Sequence, residues 1–266
     1  MEVSSRLAAQ ASIISGVLLI GKERRKIIIA GSLWMAVQYT AIGGSSGQKR
    51  ETRSRISSSA REAINARTSW QKLMMVLAAN FRKDDLVVTL TYRDKDLPRT
   101  REQANKCLKY FMSMLRAERR RLGLPLVAAK TTEGYHSGGR LHHHLILNAT
   151  GQDFDMIRRL WRKYGDNVDF EQFGRDGPER WAKYLTKEPR EQGRRYVGDR
   201  TWTTTRNVKK PVVITEYVSD DAALSPPHGA FILDKTACEN CYGKFSHIVA
   251  RLPETQAEKG GNSSLG

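Results

Sequence analysis

Two apolar runs open the chain, LAAQASIISGVLLI (7–20) and IIIAGSLWMAVQYTAI (27–42), with the charged stretch GKERRK between them. Each is shorter than the ~20 residues a membrane helix needs. No basic start leads into an apolar run with a small-residue cleavage site, so a secretory leader is not expected. The pair reads as a helical hairpin, a marginal membrane anchor, or upstream sequence brought in by an early start codon. GGSSGQ (43–48) reads as a linker, which makes residues 1–48 an apolar extension.

From Ser59 onward the spacing becomes regular. SAREAINARTSWQKLMMVLAANF (59–81) places apolar residues at helical intervals, with Ser59 as a cap. DLVVTLTY (85–92) alternates and predicts a strand with Val88, Leu90 and Tyr92 on one face and Thr89 and Thr91 on the other. REQANKCLKYFMSMLRAERRRLG (101–123) is a long amphipathic helix ending at a glycine. PLVAAKTTEG (125–134) and RLHHHLILN (140–148) predict two strands of an antiparallel hairpin, turned by HSGG (136–139). A helix over 151–165, a short strand over 167–173 and a helix over 177–189, stopped by Pro189, complete the run. The order strand, helix, strand, strand, helix, strand, helix predicts an α+β fold of ferredoxin-like split βαβ type. Its antiparallel sheet would carry helices on one face and leave the other open for chemistry.

Charge points to the partner. Lys and Arg number 45 against 28 Asp and Glu in 266 residues, a formal net charge of +17. Such an excess favours polyanions. The basic residues gather at 49–67, 116–121, 158–163 and 187–210, and four clusters around one motif region favour a channel for phosphates over solvated helix faces. Cys107, Cys238 and Cys241 do not make a disulfide framework, which fits a reducing, cytoplasmic compartment. Even with His228 and His247 nearby, Cys238 and Cys241 lack a second pair and read as a plain turn.

The chemistry centres on RLHHHLIL (140–147). Residues two apart on a strand share a face, so His142 and His144 project together while His143 joins Leu141, Leu145 and Leu147 on the packed side. Two adjacent imidazoles can grip a divalent metal. Glu133 ends the preceding strand, and pairing across the hairpin brings its carboxylate beside them. From the residues alone, two surface histidines without a metal explain the pattern as well. On the helix 178–188, Tyr184 and Lys187 are three apart and share a face. A tyrosine is a poor nucleophile unless a cation stabilises its phenolate. A core tyrosine beside a surface lysine is the plain alternative.

TLTYRDKDLP, TTEGYHSGGRLHHHLILNATG and WAKYLTKEP, in this order, resemble the three motifs of HUH endonucleases of the rolling-circle replication initiator family. SAREAINARTSWQKL, AANFRKDDLVVTLTY and TWTTTRNVKKP look like a branch found in bacterial chromosomes, prophages and mobile elements. The similarity covers 49–253, read as one endonuclease domain, and leaves 254–266 as a disordered tail.

The resemblance implies metal ligands at His142, His144 and Glu133, a nucleophile at Tyr184 and the motif lysine at Lys187. Arg180 and Glu188 stand four residues from Tyr184, where a second tyrosine would sit, so the chain resembles the single-tyrosine type. Tyr196 lies outside the helix. The implied activity is Mg2+- or Mn2+-dependent nicking and joining of single-stranded DNA through a 5′-phosphotyrosine link. A host helicase and polymerase are the implied partners, with no small-molecule substrate and no membrane. Arg190, Arg194, Arg195, Arg206, Lys209 and Lys210 are the candidates for tracking the DNA backbone. Trp161, Trp181 and Trp202 are candidates for base stacking, with core packing as the alternative. A non-catalytic single-stranded DNA-binding module of the same fold is the rival reading.

Overall fold

The computed structural model describes residues 23–40, 59–134, 140–174, 177–187, 200–240 and 243–253. Within them the chain is α+β. It forms two antiparallel five-stranded sheets and four α-helices.

The first sheet has the predicted core. β3 (Leu86–Thr91), helix α2 (Arg101–Arg121), β4 (Ala128–Glu133), β5 (His142–Leu147), helix α3 (Asp153–Trp161) and β6 (Val168–Gln172) follow in sequence. A two-residue strand β7 (Thr203–Thr204) completes the order β6-β3-β5-β4-β7. β3 and β4 both pair antiparallel with β5, which lies between them, so the split βαβ arrangement is present. The hairpin of β4 and β5 is antiparallel, as the sequence predicts. α2 starts with Thr100 capping and Gln103 closing a capping box.

Alternation decides the two faces of this sheet. Leu86, Val88, Leu90, Ala128, Leu145 and Leu147 turn to one side and pack against α2 and α3 through Leu108, Phe111, Leu115, Ile157 and Trp161. The other face divides in two. At one end Val87, Ala129 and Ile146 are covered by helices α1 (Ser59–Asn80) and α4 (Gly177–Leu185). At the other end the face is polar, with Thr89, Thr91, Thr131, Glu133, His142 and His144 in adjacent register positions.

The second sheet lies outside the predicted elements. β1 (Glu23–Ala30) and β2 (Leu33–Thr40) form a hairpin, and β8 (Val212–Val218), β9 (Phe231–Asn240) and β10 (Gly243–Arg251) join it in the order β8-β1-β2-β10-β9. The helical hairpin expected from residues 27–42 is therefore corrected to a strand pair. β2 is central and buried on both faces, with Leu33 and Met35 packing toward α1 and Trp34 and Ala36 toward a separate cluster with Ile248 and Ala250. A strand buried on both faces is a continuous apolar run, and periodicity cannot distinguish it from a buried helix. Among the described residues no helix is long and apolar enough to cross a membrane. Cys238 is an exposed free thiol in β9, and Cys241 lies outside the described residues.

Candidate metal centre and nucleophile

The register of the first sheet assembles the cluster. His142 stands opposite Glu133 on β4 and Thr91 on β3, while His144 stands between Thr131 and Thr89. His142 Nε2 and His144 Nε2 are 3.0 Å apart. Glu133 Oε2 lies 3.7 Å from the first and 3.5 Å from the second. These three groups can hold a metal ion, and they are the only such cluster found among the described residues.

Each ligand is held from behind. His142 Nδ1 donates to the Arg140 carbonyl at 2.8 Å, and because a carbonyl only accepts, the Nε2 lone pair is left pointing into the cluster. His144 Nδ1 meets Thr89 Oγ1 at 3.0 Å, which orients its Nε2 the same way when the hydroxyl accepts. The Arg140 guanidinium pairs with Asp94 and donates to the Tyr92 carbonyl, pinning the start of β5 to the end of β3. Thr89 and Arg140 are functional positions that the motif reading missed. Only the pairing of β3 with β5 reveals them.

The electrostatics suit a bound cation. Burial pushes the His142 imidazole below its ordinary range, only partly opposed by its bond to Arg140 and by the Glu133 charge. A neutral imidazole is the ligand form. Burial would raise the Glu133 carboxyl, but hydrogen bonding and charge from His144, with help from Lys187 and His142, hold it below the usual range. Glu133 is only 4% exposed, and its Oε1 is buried with no hydrogen-bond partner. An unsatisfied carboxylate oxygen at this depth is costly unless a cation or donor meets it. The orphan oxygen and the two free Nε2 atoms fit a divalent ion.

His143 takes the role its parity predicts. It is fully buried, bonded to Tyr92 Oη at 2.7 Å and to Thr132 Oγ1 at 2.9 Å. Burial pushes its pKa down to about 3, so it is a neutral core residue.

Helix α4 brings the phenol to the cluster. Trp181, Ala182 and Leu185 face the core, so Tyr184 is turned along the sheet surface toward β5. Its ring meets His144 edge to face at 5.0 Å and is 37% exposed. Lys187, just beyond α4, places Nζ 3.4 Å from Glu133 Oε2 and 4.1 Å from the centre of the Tyr184 ring. Burial lowers the ammonium, yet the charges of Glu133 and Tyr184 raise it above its ordinary value. Glu133, His142, His144, Tyr184 and Lys187 thus form one cluster.

The remaining candidates are placed differently. Arg206, Lys209 and Lys210 are exposed, and Lys209 exchanges two backbone hydrogen bonds with the Asn80 side chain. None of the three joins the metal cluster. Arg190, Arg194, Arg195 and Tyr196 lie outside the described residues. Trp161 and Trp181 are buried and donate to the Thr91 and Phe173 carbonyls, which places both in the core. Trp202 is partly buried and donates to Ser69 Oγ.

Residues 85–189 match a family model described as a replication-associated protein of the ORF2 type. The matched span runs from β3 through α4 and contains all five clustered residues. It also contains Thr89 and Arg140, the two residues that hold the imidazoles from behind. The match supports kinship of this sheet with replication-associated proteins. No curated protein and no solved structure matches the chain.

Proposed function

We propose that the chain is a replication initiator of the HUH single-tyrosine type, which nicks and rejoins single-stranded DNA through a 5′-phosphotyrosine intermediate. The observation that carries this reading is the contact of Tyr184 with His144 at 5.0 Å, inside a cluster that also contains Glu133 and Lys187. A phenol, a cation and a metal-ligand set meet at an accessible surface. Neither a core tyrosine nor a pair of surface histidines accounts for that combination.

Glu133, His142 and His144 would hold Mg2+ or Mn2+, and the ion would supply Lewis-acid polarisation of the scissile phosphate. The Tyr184 oxygen attacks phosphorus, the bond from phosphorus to the 3′ oxygen breaks, and the phenol proton leaves to solvent. Lys187 stabilises the phenolate by its charge. The products are a 5′-phosphotyrosine link and a free 3′-OH that a polymerase can extend. Reversal of the same exchange rejoins the strand, because the displaced bond energy is retained in the phosphotyrosine. A host helicase would supply the single strand.

The test is incubation with labelled single-stranded oligonucleotides and Mn2+, followed by a denaturing gel. A protein-linked strand is expected from the native chain and none from Tyr184→Phe, which should still bind the oligonucleotide. A native chain that binds the strand yet yields no linked product with either metal would leave only a non-catalytic binding module.

A further inference from the structure

A second set of basic residues lies on the opposite side of β4 from the metal cluster. Lys130 alternates with Thr131 and Glu133, so it projects toward α2 rather than toward His144. There it lines a cavity of about 310 Å³ with Arg101, Arg200, Asn105 and Trp202. Next to it, across β7, Arg116, Arg120 and Arg206 line a larger cavity of about 900 Å³. Thr203 borders the first cavity and Thr204 the second. Arg116 from the second acts on Lys130 in the first: burial lowers the Lys130 pKa, and the Arg116 charge lowers it further. The two cavities are therefore successive parts of one groove between α2 and β7.

Its charge has no internal explanation. Among the described residues none of these six cations has a carboxylate partner, and no acidic side chain lines either cavity. The acids near this end of α2 are engaged elsewhere, Glu118 with Arg121 and Arg159, and Asp153 with Arg119. Arg101 is buried at 7% exposure, and Lys130 is half-buried. Holding unpaired cations at such depth costs free energy that packing does not return. Asn105 accepts from Thr132 through Oδ1, which leaves its amide nitrogen to donate.

From Arg101 to Arg120 the helix rises roughly 28 Å, at ~1.5 Å per residue, enough to follow several nucleotides. A row of unpaired arginines with an aromatic side chain in its wall is the pattern that tracks a single strand.

We infer that the groove between α2 and β7 holds the sugar-phosphate backbone of single-stranded DNA, away from the scissile phosphate. This rests on the proposed function for the identity of the strand. The groove positions substrate and does not touch the reacting atoms.

The test measures affinity of the full chain for a fluorescein-labelled single-stranded oligonucleotide over a range of salt concentrations. Lys130→Met, Arg116→Gln and Arg120→Gln should each weaken binding to all sequences alike and lower the slope of log K against log salt by ~0.7. Lys130→Met removes a half-buried unpaired charge, so its melting temperature should hold or rise, which separates lost binding from lost folding. Unchanged slopes in the variants would overturn the groove while leaving the nicking reaction intact. Reduced slopes, with no covalent adduct from the native chain, would support the groove and reject the nuclease. Inorganic pyrophosphate is the control for source. Stabilisation by pyrophosphate equal to that by the oligonucleotide, and lost in the same variants, would make this a free-phosphate site and overturn the strand assignment.

Discussion

His142 Nε2 faces His144 Nε2 at 3.0 Å, and the first is an acceptor because its own Nδ1 hydrogen is committed to the Arg140 carbonyl. Two lone pairs so placed repel unless a cation or proton joins them. Titration calorimetry with Mn2+ is expected to show one site on the native chain and none on His144→Ala. Thr89→Val, which removes only the hydroxyl behind His144, should weaken the metal about 10- to 100-fold.

Lys187 stands between the Glu133 carboxylate and the Tyr184 ring. Lys187→Met is expected to slow adduct formation about 100-fold, the scale of removing one charge-stabilising group, with oligonucleotide affinity little changed. Quench-flow assays of the protein-linked strand measure the first and fluorescence titration the second. Equal losses in both would assign Lys187 to binding instead.

The neutral core histidine makes stability depend on pH. With a folded-state pKa of about 3 against an ordinary 6.5, His143 takes up its proton far more readily when unfolded. Its neutral form therefore favours the fold at neutral pH, and that contribution is lost as pH falls from about 6.5 toward 3. Urea denaturation across this window should show falling stability, with at most ~1.4 kcal/mol per pH unit from this group. His143→Gln is expected to be less stable at neutral pH but flatter across the window.

Arg119 and Asp153 form an ion pair at 2.6 Å with side chains 0% and 1% exposed, and the guanidinium also donates to the Pro125 and Asn148 carbonyls. This ties the end of α2 to the start of α3. Asp153→Ala leaves a buried cation unpaired and should cost about 3–5 kcal/mol in chemical denaturation. A loss under about 1 kcal/mol would mean water reaches the guanidinium.

Gly31 turns β1 into β2 at φ +53°, and a Cβ there would lie 2.2 Å from the Ala78 carbonyl oxygen of α1. Gly31→Ala should lower the melting temperature by several degrees. Removal of residues 23–40 takes out the two strands that join β8 to β10 and is expected to give insoluble or unfolded protein. An intact, active truncation would show the first sheet folds alone.

Local pattern was enough to read the first sheet, its two helices and the identity of the clustered residues. Alternation over 85–92 and 140–148 sorted His143 from His142 and His144, because a strand's period of two is a local property. Glu133 followed from a hairpin, also local. The paired Thr89 and Arg140 did not follow, since β3 meets β5 only after a crossover through α2 and β4. The second sheet was hidden for a related reason. β2 is apolar on both faces and resembles a buried helix, and β8 is largely exposed, so neither shows the half-buried alternation of a strand. Their identity as strands comes from partners distant in the chain, as in Glu23 opposite Val218 and Trp34 opposite Ala250. Such contacts depend on closing the whole chain, which no short window of residues encodes.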